Sequence, residues 1–187
     1  VGDNGELIKG KNIFSVQDTK SFDKVVVHIG EVKEGNFKVG DELKVSVAKQ
    51  RRLSIARNHT ATHLLQAALR KVLGAHVKQQ GSLVAEERLR FDFTHFKDLN
   101  AEELERVEEI VNDYILDNLD LSSKQMTLSQ AKKSGALAFF GEKYGDKVRV
   151  VSIGEASREF CGGTHLESSA QIGLFKILQE GSVASGI

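Results

Sequence analysis

Ile55-Ala-Arg-Asn-His-Thr-Ala-Thr-His-Leu-Leu-Gln-Ala-Ala-Leu-Arg-Lys-Val-Leu73 is the stretch that decides how this chain is read. Its apolar positions Ala61, Leu64, Leu65, Ala68, Leu69 and Val72 gather on one side when successive residues are turned by ~100°. The spacing therefore predicts an amphipathic helix, with Gly74 placed to end it. His59 and His63 fall roughly opposite the leucines, beside Gln66 and Arg70. Residues four apart on a helix sit one turn above each other, so both imidazoles can serve one point. A histidine satisfying the core would share the leucine face. This pair is instead expected to point into a polar cleft.

A matching half-site lies about a hundred residues on, in Cys161-Gly-Gly-Thr-His165. There the Gly162-Gly163 pair can take backbone angles closed to other residues, letting Cys161 and His165 turn toward a common point. Each half-site alone is weak, because His-x-x-x-His arises by chance in helices and a lone cysteine is more often a small buried hydrophobe. Their joint occurrence is the signal: the one Cys of the chain stands four residues from one of six His. Three imidazole nitrogens and a thiolate form a zinc set, whereas oxygen-seeking cations would want carboxylates. The alternative is a packed or hydrogen-bonded core without metal. A peptidase of the His-Glu-x-x-His type is excluded, since its general base would stand where Thr60 is. Four ligands can close a structural site or leave one position exchangeable, and ligand identity does not choose between them. No side-chain general base is evident beside either motif.

At 187 residues, 40% apolar and 28% charged, the chain is long enough for one or two domains with a real core. It has no apolar run of transmembrane length and no signal-peptide pattern at its start, so no membrane association is expected. A single Cys excludes an internal disulfide framework and fits a reducing cytoplasm. Proline is absent, and nothing in the sequence explains it. The zero net charge hides an asymmetry. Asp98 to Asp120 carries nine acidic residues and one basic, leaving 25 basic and 17 acidic elsewhere. The basic remainder suits a phosphate backbone; equally, the acidic run reads as the solvated face of a helix. The densest basic cluster is Lys49, Arg51, Arg52 and Arg57.

Residues 1 to about 48 read as strands, with valine-rich runs at Lys24 to Ile29 and Glu42 to Val47 and turns at Gly30, Gly35 and Gly40-Asp41. Their spacing suggests a small β-barrel. Beyond the histidine helix the pattern is α+β. Leu89, Phe91 and Phe93 alternate with polar residues as a half-buried strand does. Asn100 caps a helix with Glu103 three residues on and Leu104, Val107, Val111, Tyr114 and Ile115 as its buried stripe. A short helix follows at Leu128 to Lys133. Val148 to Ile153 and Leu174 to Leu178 read as further strands.

Five blocks carry a resemblance: Arg57-Asn-His-Thr-Ala-Thr-His-Leu-Leu64, His76-Val-Lys-Gln-Gln-Gly-Ser-Leu-Val84, Leu89-Arg-Phe-Asp-Phe-Thr-His95, Phe140-Gly-Glu-Lys-Tyr-Gly-Asp146 and Cys161-Gly-Gly-Thr-His165. In this order they resemble the editing domain of the alanyl-tRNA synthetase family over residues 51 to 187. Residues 1 to 50 resemble part of the small barrel that precedes that domain. The opening Val1-Gly-Asp-Asn-Gly resembles the tail of a glycine-rich family motif, and Glu180-Gly-Ser-Val-Ala-Ser-Gly-Ile187 is more like the full synthetase than its free-standing relatives. An internal fragment is therefore expected.

The resemblance implies a mixed, largely antiparallel sheet wrapped around a central helix. It also implies hydrolysis of serine, with glycine as a second substrate, wrongly esterified to tRNA(Ala). His59, His63, Cys161 and His165 would hold zinc as the catalytic set, orienting the aminoacyl group or activating water. Gln79 matches a family position implicated in substrate discrimination, and Thr60, beside the ligand pair, is a second candidate. Gly81-Ser82 and Gly162-Gly163, with Thr164, are expected to meet the substrate, the glycine N–H groups stabilising its oxyanion. The expected partners are the tRNA(Ala) acceptor end carrying serine or glycine and other domains of the same synthetase. The alternatives are a zinc-stabilised tRNA-binding module without catalysis and a free-standing trans-editing deacylase.

Overall fold

A computed structural model describes residues 2–22, 25–138, 145–182, 184 and 186–187. Lys24 of the expected first strand and residues 140–144 of the fourth resemblance block lie outside the described residues, as do Val1, Val183 and Ser185 of the two terminal resemblances. The contacts divide the chain into two compact units, Val1–Ser54 and Ile55–Ile187. The division falls within the longest helix, α1 (Lys49–Leu73).

In the first unit, β1 (Gly5–Lys9), β2 (Asn12–Phe22), β3 (Val25–Glu34) and β4 (Lys44–Val47) form an antiparallel sheet in the order β3-β2-β1-β4. One expected turn is overturned. Gly30 lies inside β3, paired with Val16. It is a glycine because β2 bulges between Val16 and Asp18 and presses Ser15 O against it: a Cβ at position 30 would stand 1.9 Å from that oxygen. The strand therefore runs on where a break was expected. Val16 is the buried apolar residue of this unit, and Phe14 meets Phe37 edge-on at 6.3 Å.

The second unit carries β5 (Gln79–Val84) and β6 (Leu89–Phe93) as one antiparallel pair. β7 (Leu121–Thr127), β8 (Lys147–Ile153) and β9 (Ser157–Phe160) form a three-stranded antiparallel sheet. Two helices complete it, α2 (Ala101–Leu116) and α3 (Leu128–Lys133). Ala61, Leu64, Leu65, Ala68 and Leu69 of α1 pack with Val107, Ile110, Val111 and Ile115 of α2, and with Val77, Ile153 and Phe175. A smaller cluster joins Ala131 of α3 to Val148, Val150 and Phe160. Gly74 ends α1 at φ 114°, with its N–H on Arg70 O. Asn100 and Glu103 make the reciprocal cap of α2.

One expectation about this unit is corrected, the strand at Leu174 to Leu178. Every residue from Thr60 to Gln66 is buried, so α1 is covered on all sides there. Thr60 Oγ1 receives the Leu166 N–H, Thr62 Oγ1 donates to Asn58 O and His63 Nδ1 meets Glu159, contacts that periodicity does not register. Leu174 to Leu178 is not a strand. Its backbone is bonded by side chains of α2: Asn112 receives the Phe175 N–H at Oδ1 and donates Nδ2–H to Phe175 O, and Glu108 receives the Ile177 N–H at 2.7 Å. The segment alternates like a strand, Phe175 buried between exposed Leu174 and Leu178, because it lies along a helix instead of a ladder. The acidic run of α2 is thus partly structural, with Glu108 also binding Lys176 Nζ at 2.7 Å. Among the described residues no helix is long and apolar enough to cross a membrane.

Candidate metal centre

The buried middle of α1 fixes the first half of the site. Because the helix packs through Leu64, Leu65 and Ala61, the residues between them cannot swing, and the rings of His59 and His63 stack with centroids 5.4 Å apart. The second half comes from the loop that leaves β9. His165 approaches both helix histidines, with centroids at 4.2 and 4.9 Å. Cys161 Sγ lies 3.4 Å from His59 Nε2 and 3.2 Å from His165 Nε2. One ligand atom from each of the four residues falls within 4.8 Å of all the others, so the cluster is able to bind a metal ion.

Gly163 explains how the loop comes so close. Neither Gly162 nor Gly163 has a positive φ, so the expected need for special backbone angles is not the reason for the pair. A Cβ at position 163 would stand 2.0 Å from His59 Cε1, whereas one at 162 would meet nothing. Gly163 is needed for space, because the loop backbone lies against the His59 ring. Arg149 of β8 secures the same loop, donating from Nη1 to Cys161 O at 3.2 Å and Gly163 O at 2.6 Å. The Gly163 N–H points at Cys161 Sγ, 3.5 Å away.

Burial alone would push the Cys161 thiol up, but hydrogen bonds from His165 and His59 and the nearby His63 imidazole outweigh it and hold the group at about 3. Burial works against a charged His63 too, yet its contacts with Cys161 and Glu159 raise it to about 10. His165 is pushed below the usual imidazole range by burial and by the neighbouring His59 and His63. Cys161 is thus a thiolate at neutral pH, the form in which cysteine binds metal.

The donor types suit a tetrahedral ion, whose bonds of about 2.1 Å to nitrogen and about 2.3 Å to sulfur would set sulfur and nitrogen about 3.6 Å apart. The two sulfur–nitrogen separations here are 3.4 and 3.2 Å and the four ligand atoms lie within 4.8 Å of one another, so the side chains would adjust around an ion. His63 Nε2 is buried and has no hydrogen-bond partner. A buried polar atom of this kind calls for an occupant.

Other expected site residues fall into three groups. Thr60, expected to read the substrate, is fully buried: its Oγ1 receives the Leu166 N–H and lies 3.3 Å from His165 Nδ1. Its hydroxyl is engaged by these two contacts within the fold. Gln79 and Ser82 are joined on β5, Gln79 Nε2 donating to Ser82 Oγ at 3.0 Å, with Gly81 between them at a register shift. Gly162 and Thr164 are exposed beside the loop ligands. The basic cluster is largely engaged within its own units. Arg51 donates to Gly2 O, Arg52 pairs with Asp3 and holds that carboxyl below the usual range, and Arg57 donates to Gln171 O.

One residue escaped the sequence reading. Glu159 is 1% exposed and its Oε2 is 2.7 Å from His63 Nδ1, while Oε1 receives the Ser157 hydroxyl at 2.8 Å. An acid therefore does touch a ligand histidine, contrary to expectation. The available signal was the two-residue period Ser157, Glu159, Cys161, which puts all three on one side of an extended segment.

Residues 148–187 match the family described as the threonyl and alanyl tRNA synthetase second additional domain. The whole chain is 52% identical to an alanine–tRNA ligase of Clostridioides difficile over 188 residues and 50% identical to that of Acetivibrio thermocellus over 188. It is 52% identical to that of Myxococcus xanthus over 190. Each match covers 100% of this chain and 21% of the relative, so the chain spans about a fifth of the length of the curated relatives it matches. Matched from end to end at this identity, and with the second additional domain at residues 148–187, the chain is similar to one stretch of the alanine–tRNA ligases and fits an editing-domain fragment of the alanyl-tRNA synthetase family.

Proposed function

We propose that this chain hydrolyses the ester of serine, and of glycine, wrongly joined to tRNA(Ala), at a zinc centre formed by His59, His63, Cys161 and His165. The observation that supports it most is the convergence of these four side chains around one point, with the Cys161 thiol held at about 3. Imidazole and thiolate donors favour zinc over oxygen-seeking cations. Zinc bound there supplies a Lewis acid that can polarise an ester carbonyl or activate water.

The need for such a site follows from size. A pocket built for alanine rejects an analogue that merely adds a hydroxyl by only about a hundredfold, so a second, hydrolytic site must complete the selection. Gln79 suits that task. Its amide N–H is spent on Ser82, which aims its carbonyl oxygen to accept a serine hydroxyl that alanine lacks. Gly162 and Thr164, exposed in the loop, and Gly81 on β5 are the residues this reading assigns to offer backbone N–H groups to a developing oxyanion. The Gly163 N–H is already directed at the thiolate and serves to hold Cys161. The acceptor end of tRNA(Ala) and other domains of the synthetase are the partners this reading assigns, in the cytoplasm.

One feature favours a second reading. Four protein ligands can close a site completely, as in a structural zinc module that binds tRNA without turnover. Serine and alanine release from separately charged Ser-tRNA(Ala) and Ala-tRNA(Ala), with zinc-loaded and chelated protein, separates the two. Zinc-dependent serine release that spares alanine supports hydrolysis; stoichiometric zinc with no release of either supports the binding module.

A further inference from the structure

We propose that Glu159 is a positioning residue of the metal centre: its carboxylate fixes which nitrogen His63 offers and balances the charge of the bound ion. The inference deepens the zinc reading and rests on it.

Three observations combine. The carboxylate is almost completely buried, yet both oxygens have a donor: Ser157 Oγ at Oε1 and His63 Nδ1 at Oε2. An acceptor-only carboxylate at 2.7 Å from Nδ1 requires the proton on that nitrogen. The lone pair of a neutral His63 is then on Nε2, the buried atom without a partner. A free imidazole would have to choose its tautomer when the ion arrives; here the choice is made by the fold.

The second role is electrostatic. A divalent ion held by three neutral imidazoles and one thiolate keeps one net positive charge. An unpaired charge in a partly buried site is costly. Glu159 supplies one negative charge through His63 without becoming a ligand, so the assembly is neutral. Thr60 gives His165 the same orientation at Nδ1 but no charge. The two braces are therefore unequal: loss of Glu159 removes orientation and balance together, while loss of Thr60 removes orientation alone.

The test is zinc affinity, measured by competition with a chromophoric chelator for the wild-type chain, Glu159→Gln, Glu159→Asp, Thr60→Val and Ser157→Ala. The Gln variant keeps shape and removes charge; Asp keeps charge and shortens reach. Glu159→Gln should weaken zinc about 10- to 100-fold, the cost of losing an outer-shell carboxylate, with Thr60→Val losing less and Ser157→Ala less than about tenfold. Proton spectra of chain labelled with 15N-histidine give a readout that needs no variant. The His63 Nδ1–H should appear far downfield and exchange slowly, with or without zinc. It should move upfield or vanish in Glu159→Gln while the backbone amide spectrum stays folded. Unchanged zinc affinity in Glu159→Gln, or a wild-type His63 with no protected Nδ1 proton, overturns the proposal. Wild-type protein that fails to bind zinc overturns the metal reading itself, a distinct failure.

Discussion

Gly163→Ala is the sharpest perturbation available, because its consequence can be worked out from one contact. A Cβ at 163 would lie 2.0 Å from His59 Cε1 and 2.5 Å from Nδ1. Ordinary contact begins near 3.4 Å, so ring and loop must separate by roughly 1.4 Å. Metal–ligand bonds tolerate departures of only about 0.2 Å, several times less. The helix is buried around His59 and Arg149 ties the loop carbonyls, so neither side yields that distance without cost. His59 is then lost from the set. Zinc affinity should fall at least to the upper end of the about 10- to 100-fold range that displaced supporting groups cost, and serine release should fall with it. Gly162→Ala is the matched control, since its Cβ meets nothing and its φ is not positive. Chelator competition on both variants decides the matter. Wild-type affinity in Gly163→Ala would refute the contact as the reason for the glycine, and equal losses in both variants would point to general loop disruption.

Further expectations follow from the same contacts. Cys161→Ala should abolish both stoichiometric zinc and serine release; a fully active variant removes the thiolate from the site. Arg149→Ala deprives two loop carbonyls of their donor, and an unmet buried acceptor costs about 1–3 kcal/mol, so the urea midpoint of the metal-free chain should drop with an unchanged slope. Asn112→Ala removes both bonds that hold Phe175 to α2 and should cost a similar about 1–3 kcal/mol; hydrogen exchange at the Phe175 amide should quicken, and unaltered protection would refute the docking. In the metal-free chain the Cys161 thiol, lowered from 9.0 to about 3, stabilises fully above pH 9.0 and loses this as pH falls. His63, raised from 6.5 to about 10, stabilises fully below pH 6.5 and loses this as pH rises. Between 6.5 and 9.0 the two slopes cancel, so unfolding free energy should be level there and fall on either side. A steady slope across that window would refute the thiolate–imidazolium pairing.

What was legible in the sequence was local. The span of α3, the cap of α2 and the alternation of Leu89, Phe91 and Phe93 follow from neighbours a few residues apart, and each is in the structure as read. The four clustered side chains able to bind a metal were legible because His59 with His63, and Cys161 with His165, are each set by short spacing. What was not legible depended on distant partners. Nothing near Thr60 in the sequence reveals His165 and Leu166, which engage its hydroxyl. The strand expected at Leu174 to Leu178 has the alternation of a strand, but its bonding partners, Asn112 and Glu108, are more than sixty residues away on a helix. Glu159 went unread for the same reason, its partner His63 being 96 residues earlier.

The charges at the site bear on what the metal contributes. Without an ion, a thiolate at Cys161 and a carboxylate at Glu159 flank a His63 that burial would neutralise but their contacts keep protonated. The proton occupies the Nε2 position that an ion would take, so binding must release it and affinity must rise with pH. The cluster is therefore partly compensated when empty. Its ligands are also held by groups that do not depend on metal: the apolar core around α1, Arg149 on the loop, Gly163 against His59 and Thr60 on His165. A small metal domain that lacks such support is unfolded until the ion binds, and its binding energy goes into folding. Here the fold supplies the arrangement beforehand, so chelation should leave the second unit folded, with near-native backbone amide spectra, while removing what the ion does at the site. A chelated chain that unfolds would place the metal in the architecture instead, and would favour the closed structural centre over the hydrolytic one.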